Sequence, residues 1–328
     1  MFKKVIFIVV LIIFASTLAA CSAANEKAIS DNKDGKLSIV CTIYPQYDWI
    51  NKILGDQAGN VDLTLLVDNG VDLHNYQPTA GDIAKISSCD LFIYVGGESD
   101  SWIDDALVEA TNKDMIVIDL LDVLNNRVKQ EKIVEGMESK EQEADGKQAV
   151  EYDEHVWLSL KNAVTICGAI KDALCQLDSA HADTYETNAD SYLVELNDLD
   201  AEYQQMVVNA SRNTVVFGDR FPFRYLMDDY GIKYFAAFPG CSAETEASFK
   251  TVVFLAGKVD LLGLNSVIVI EGSDQSIAHT IIDNTADQDQ QVLVMDSMQS
   301  VTAADVKNGK NYLSIMRNNL DVLQQALN

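Results

Sequence analysis

The apolar positions alternate between two periods along most of the chain. Leu37 to Ile43 is a short run rich in β-branched and aliphatic residues, and it reads as a buried strand. Tyr44-Pro45 then opens a helix that continues through Leu54, proline being tolerated in a first helical turn. Val61 to Val67 is the next strand, followed by a loop from Asp68 to Pro78. Thr79 to Ser88 has helical spacing, Asp90 to Val95 is a strand, and a helix from Ser99 to Thr111 leads into a strand from Met115 to Ile118. Strands alternating with helices predict a parallel sheet with helical crossovers.

Arg127 to Glu151 breaks this rhythm. It is charged, punctuated by glycine and poor in large apolar residues, which predicts a mobile surface loop. A helical region follows, first Asn162 to Leu177 and then His181 to Ala210. The second run carries Tyr185, Tyr192, Leu196, Leu199, Tyr203 and Met206 at mostly three- and four-residue spacings. At ~1.5 Å per residue it would be roughly 45 Å long, enough to cross from one lobe to another. The alternation then resumes with strands at Thr214–Phe217, Ile232–Phe238, Ser266–Ile270 and Val292–Met295. Helices are expected at Pro222–Tyr230, Thr245–Leu262 and Ser276–Thr285, with two more closing the chain. The expectation is an α/β protein of two lobes, residues 37–160 and 211–328. Each has a parallel sheet flanked by helices, and linking helices at 161–210, one of them long, join the two.

The amino terminus is of a different kind. Lys3 and Lys4 precede an apolar run, Val5 to Leu18, that ends in Leu18-Ala19-Ala20-Cys21, the pattern of a bacterial lipoprotein cleavage site. Residues 1–20 therefore read as a signal peptide and Cys21 as the lipidated first residue of the mature chain. Residues 21–36 read as anchor and flexible tether. This places the protein outside the cytoplasm, held to the membrane through acylated Cys21.

Charge narrows the partners. With 50 acidic against 24 basic residues the chain carries a net charge of −26, which repels nucleic acid and gathers cations near the surface. Besides Cys21 there are Cys41, Cys89, Cys167, Cys175 and Cys241, with no CxxC or zinc-knuckle spacing. They read mainly as small buried hydrophobes, at least one of them a free thiol.

Ligands of open parallel sheets bind beyond the carboxyl ends of the strands, so the residues found there are candidates. His74 follows Val61–Val67; Asp219 and Arg220 follow Thr214–Phe217; Glu271 and Asp296 follow the last two strands. His155 sits where loop gives way to helix, preceded by Asp153 and Glu154 and followed by Trp157. That is the setting of a ligating histidine whose second ring nitrogen is fixed by an acceptor. His181 and His279 lie at a helix start and within a surface helix and are expected to be solvated. Two imidazoles and carboxylates facing across a cleft make a mixed nitrogen–oxygen site suited to zinc or manganese, whereas calcium and magnesium prefer oxygen. No HExxH pair, glycine-rich phosphate loop or serine nucleophile motif accompanies them, which favours binding without turnover over a metallohydrolase. A surface adhesin is a further alternative.

Several motifs together carry a family likeness. They are Val71-Asp72-Leu73-His74-Asn75-Tyr76-Gln77-Pro78, Asp153-Glu154-His155-Val156-Trp157-Leu158 and the helix stretch from Asn188-Ala189 to Leu199-Asp200. To these are added Phe223-Arg224-Tyr225-Leu226 through Tyr230-Gly231, and Met295-Asp296-Ser297. With these the mature chain resembles the solute-binding lipoproteins of zinc and manganese ABC importers. The resemblance implies a monomeric receptor that carries Zn(II), with Mn(II) as the alternative, between two lobes and delivers it to an ABC permease. It implies His74, His155 and Asp296 as ligands, with Asp153 and Glu154 as outer partners. The third ligand position falls on Arg220, whose guanidinium has no lone pair to give a cation. Either Asp219 supplies the missing ligand, with Arg220 bracing a carboxylate, or solvent fills the place.

Overall fold

The computed structural model describes residues 35–68, 70–138, 151–242 and 246–328. Cys21, the preceding signal peptide and most of the tether lie outside the described residues. Leu37–Asn328 forms one compact unit. Its described strands are β1 (Leu37–Cys41), β2 (Val61–Leu65), β3 (Leu91–Tyr94), β4 (Ile116–Asp119), β5 (Thr214–Phe221), β6 (Lys233–Pro239), β7 (Ser266–Ile270) and β8 (Gln291–Met295). They pair in parallel as two four-stranded sheets ordered β2-β1-β3-β4 and β6-β5-β7-β8. The two halves thus repeat one layout, in which the connections from the first strand of each sheet run to opposite sides. The reversal opens a crevice beyond the carboxyl ends of the strands.

The inner strands are covered on both faces, so β3 and β7 are apolar almost throughout, whereas the edge strand β2 alternates with Asp62 and Thr64. In β1, Ile39 and Cys41 point to a large interior core and Val40 points the other way, to a smaller core with Phe92 and Ile86. In the second sheet Phe217 and Ile268 face the large core. Val216, Val267 and Val269 face a separate layer under the helix Phe249–Leu262. The large core is continuous from one sheet to the other through Trp157, Leu160 and Ile166.

The helix Leu160–Leu177 starts where Ser159 Oγ accepts the Asn162 N–H at 3.1 Å. The long helix, Ala182–Asn209, buries Tyr185, Ala189, Tyr192, Leu196, Leu199, Tyr203 and Met206. Those spacings alternate four and three, the seam a straight helix needs to lie along its neighbours. It packs against Tyr44–Leu54, Leu160–Leu177 and the closing helix Tyr312–Ala326, so elements of both halves rest on it. Tyr203 donates to the Met316 carbonyl at 2.6 Å, and Tyr230 stacks on Tyr203 at 4.9 Å between ring centres. No described helix is long and apolar enough to cross a membrane.

Several boundaries differ from expectation. The expected helix Ser99–Thr111 forms only from Ile103 to Val108, because Asp100 accepts the Val95 and Gly96 N–H groups and holds the preceding residues in a turn. Strand β5 runs to Phe221, past the expected end at Phe217. It accommodates the extra length with a register shift between Phe217 and Arg220. Of the expected mobile loop, residues 139–150 lie outside the described residues, but 127–138 take a definite path. Gln130 bridges to Tyr152, the Asp153 N–H donates to Lys129, and the Glu138 N–H donates to Ala237 in β6.

Candidate metal centre

His74 stands in a single 3-10 turn, Leu73–Asn75, which Asp72 caps by accepting the His74 N–H at 3.1 Å. His155 is held the same way, the Asp153 carboxylate accepting its backbone N–H at 3.0 Å. The same Asp153 oxygen also lies 3.0 Å from His155 Nδ1. Because a carboxylate only accepts, this fixes the proton on Nδ1 and leaves a lone pair on Nε2. His155 is fully buried. Burial pulls its pKa down, but the Asp153 hydrogen bond and the carboxylates of Glu131 and Glu154 outweigh burial and hold it above the ordinary value.

His74 is fixed by a relay. Its Nδ1 is 2.7 Å from Ser99 Oγ and 3.5 Å from Glu154 Oε2, and Glu154 accepts the Ser99 backbone N–H at 2.9 Å. A carboxylate only accepts, so Glu154 favours the proton on Nδ1, and Nε2 again keeps its lone pair. Gly97 makes the relay possible: it has φ +87°, and a Cβ there would lie 2.5 Å from Glu154 Oε1. Burial first, then repulsion from His155, lowers the His74 pKa to about 4. The two Nε2 atoms, each with its lone pair outward, face one another at 3.2 Å.

Two lone pairs at this distance repel unless a cation lies beside both. Zn–N bonds of ~2.0–2.1 Å at a tetrahedral angle would separate the nitrogens by about 3.3 Å, so the pair is set at a chelating distance. The loops of the second sheet close over it. Gly240, just after β6, passes so near that a Cβ would fall 2.7 Å from His155 Cε1. Trp157 Nε1 donates to the Ser297 carbonyl beyond β8 at 2.9 Å, and Tyr225 donates to the Asp153 carbonyl at 2.8 Å. Gln299 Nε2 lies 3.3 Å from His155 Nε2 and donates to Asp72 at 3.1 Å, while the Gln299 side-chain Oε1 lies 3.0 Å from Ser297 Oγ. Glu271, at the end of β7, accepts from Ser297 and Gln299 and so anchors that loop.

The other expected ligands are engaged elsewhere. Asp296 pairs with Lys310 at 2.7 Å and accepts the Met298 N–H at 2.8 Å. Asp219 turns back to accept the Arg220 N–H at 2.8 Å and the Ile270 N–H at 3.4 Å. Arg220 pairs with Asp72 at 2.8 Å, so it braces a carboxylate beside the histidines, though not the carboxylate of Asp219. Among the described residues the cluster with metal-ligating geometry is His74, His155 and Cys241, whose donor atoms all lie within 4.8 Å of one another. Cys41, Cys89 and Cys167 are buried as expected, whereas Cys241 is exposed on the loop after β6. The rule that pointed to His74 and Glu271, looking beyond each strand's carboxyl end, finds Cys241 once applied to β6. His181 caps locally, its Nδ1 on Asp178 at 2.7 Å, well apart in function from the pair.

Twin sheets braced by one long helix, with an imidazole pair held between their carboxyl ends, define a two-lobed solute-binding protein. The chain belongs to the family of ZnuA, the periplasmic component A of the zinc-uptake complex, whose model matches residues 39–326. It is similar to the zinc-binding lipoprotein AdcA of Streptococcus pneumoniae (strain ATCC BAA-255 / R6), 32% identical over 313 residues. That match covers 94% of this chain, which spans only 58% of the AdcA length. It is similar over its whole length to the high-affinity zinc uptake system protein ZnuA of Bacillus subtilis (strain 168), at 27% identity and 99% of that protein. The Zn(II)-bound ZnuA-like domain of Streptococcus pneumoniae AdcA has the same fold, with a TM-score of 0.69 and 28% identity. That likeness covers 89% of this chain and 99% of the domain.

Proposed function

We propose that this protein is an extracytoplasmic receptor that captures Zn(II) between its two lobes and hands it to an ABC permease, with no turnover. The observation that carries the reading is the His74–His155 pair, whose Nε2 atoms converge at 3.2 Å, that of His155 on a fully buried residue. Family membership and similarity to zinc-binding lipoproteins support it. His74 and His155 are the ligands, oriented by Ser99–Glu154 and by Asp153 respectively. Asp219 and Asp296 would join them only by leaving their present partners, Asp296 giving up Lys310. Anchoring through Cys21 keeps the receptor beside its permease as a monomer. The acidic surface draws cations toward the cleft.

The test is zinc titration calorimetry on the mature chain, with manganese as competitor. His74→Ala and His155→Ala should each abolish tight binding, while His181→Ala and His279→Ala bind as the parent does. Equal loss in all four variants would refute the placement, and tighter binding of manganese than of zinc would refute the cargo. Membrane fractionation of Cys21→Ala examines the anchor, which predicts release of the variant from the membrane.

A further inference from the structure

We propose that Cys241 supplies the third ligand of the bound zinc ion, as a thiolate carried on the loop that follows β6; this rests on the proposed zinc capture by His74 and His155. Three observations converge on it. The Cys241 sulfur lies within 4.8 Å of a ring nitrogen of each histidine. Gly240 lets its loop ride directly on the His155 ring, at a distance no side-chain-bearing residue would tolerate. The position that would otherwise donate from this lobe holds Arg220, which has no lone pair and is tied to Asp72.

The geometry of a bound ion is within reach. With Zn–S of ~2.3 Å and Zn–N of ~2.0–2.1 Å at a tetrahedral angle, sulfur and nitrogen stand about 3.6 Å apart. Closing to that distance asks the turn after Pro239 to shift by an ångström or so. The turn is held by the Ser242 N–H on the Pro239 carbonyl at 3.3 Å and by the Gly240 N–H on the Glu131 carboxylate. On coordination the S–H bond breaks, its electron pair becomes the Zn–S bond and the proton passes to water, so no redox partner is needed. Two neutral imidazoles and one thiolate leave a single positive charge on the ion and a fourth position for water or a carboxylate. A soft sulfur donor in the set favours zinc and works against manganese.

Zinc K-edge X-ray absorption on the full mature chain loaded with one equivalent of zinc tests this. The expected spectrum contains one sulfur scatterer at ~2.3 Å together with nitrogen and oxygen at ~2.0–2.2 Å. Cys241→Ser should lose the sulfur shell, keep one zinc per chain, and bind it more weakly by more than the roughly 10–100-fold typical of losing an outer partner. Its preference for zinc over manganese should narrow. Cys175→Ser should match the parent in every respect. A parent protein that binds zinc with nitrogen and oxygen alone overturns the thiolate while leaving the zinc receptor intact. A parent that binds no zinc overturns both.

Discussion

Tautomer control is the chemistry this site performs at the scale of single residues. Asp153 touches both the backbone and the ring of His155, so one carboxylate fixes the residue's position and its proton. Asp153→Asn is therefore expected to weaken zinc binding by roughly 10–100-fold without unfolding the chain, measured by calorimetry alongside circular dichroism. Gly240→Ala should do worse. Its Cβ would press on the His155 ring and on the Phe221 carbonyl, costing about 1–3 kcal/mol of stability as well as zinc affinity, both readable from melting with and without zinc. Asp100, next to Ser99, offers a pH test read from stability alone. Burial first, with Glu154 and Asp119 adding repulsion against its two backbone hydrogen bonds, pushes its pKa up to about 7. A carboxyl raised in this way contributes stability at low pH that is lost as pH rises through about 7. Asp100→Asn, whose amide would occupy the place of an oxygen with no hydrogen-bond partner, should therefore gain on the parent from about pH 4 upward and level off beyond 7. A melting-temperature difference flat with pH would contradict this. His74 and His155 were legible in the sequence because a histidine beyond a strand end, flanked by carboxylates, has few other uses. Cys241 carries no spacing signal as a lone cysteine and reads as a buried hydrophobe, although it lies three residues beyond the expected strand Ile232–Phe238.

At the scale of elements, the strands and helices were readable wherever apolar runs were pure. Every described strand of both sheets lies within two residues of its expected start, because most of these runs are dominated by aliphatic and β-branched residues. The misreadings fall where side chains bond to backbone. Asp100 halts a helix, and β5 absorbs an irregularity that carries Asp219 and Arg220 along an extended strand instead of into a turn. That irregularity decides what the third position can do. It points Asp219 at the amides of Arg220 and Ile270, and gives Arg220 the reach to Asp72 on the opposite lobe. The Arg220–Asp72 pair is partly buried and carries no direct role on the ion. Arg220→Ala should weaken binding modestly, leave the stoichiometry at one, and leave the sulfur signal unchanged.

The molecule as a whole is one interior wearing two sheets. The core passes without a break from Ile39 to Phe217, and the long helix lays its seam across both halves. Residues 37–328 should therefore unfold in a single calorimetric transition, and two separated transitions would show that the lobes are independent. Tyr203→Phe, which leaves the buried Met316 carbonyl without its donor, should cost about 1–3 kcal/mol and shift that one transition as a unit.

The two imidazoles differ in their access to water. His155 has none, whereas His74 retains about 10% of its side-chain surface. On the proposed reading, an arriving ion would meet His74 first and the deeper His155 last. Departure runs the other way. The residence time of a bound ion would then be set by whatever disturbs the short turn that carries His74, without any need to part the lobes.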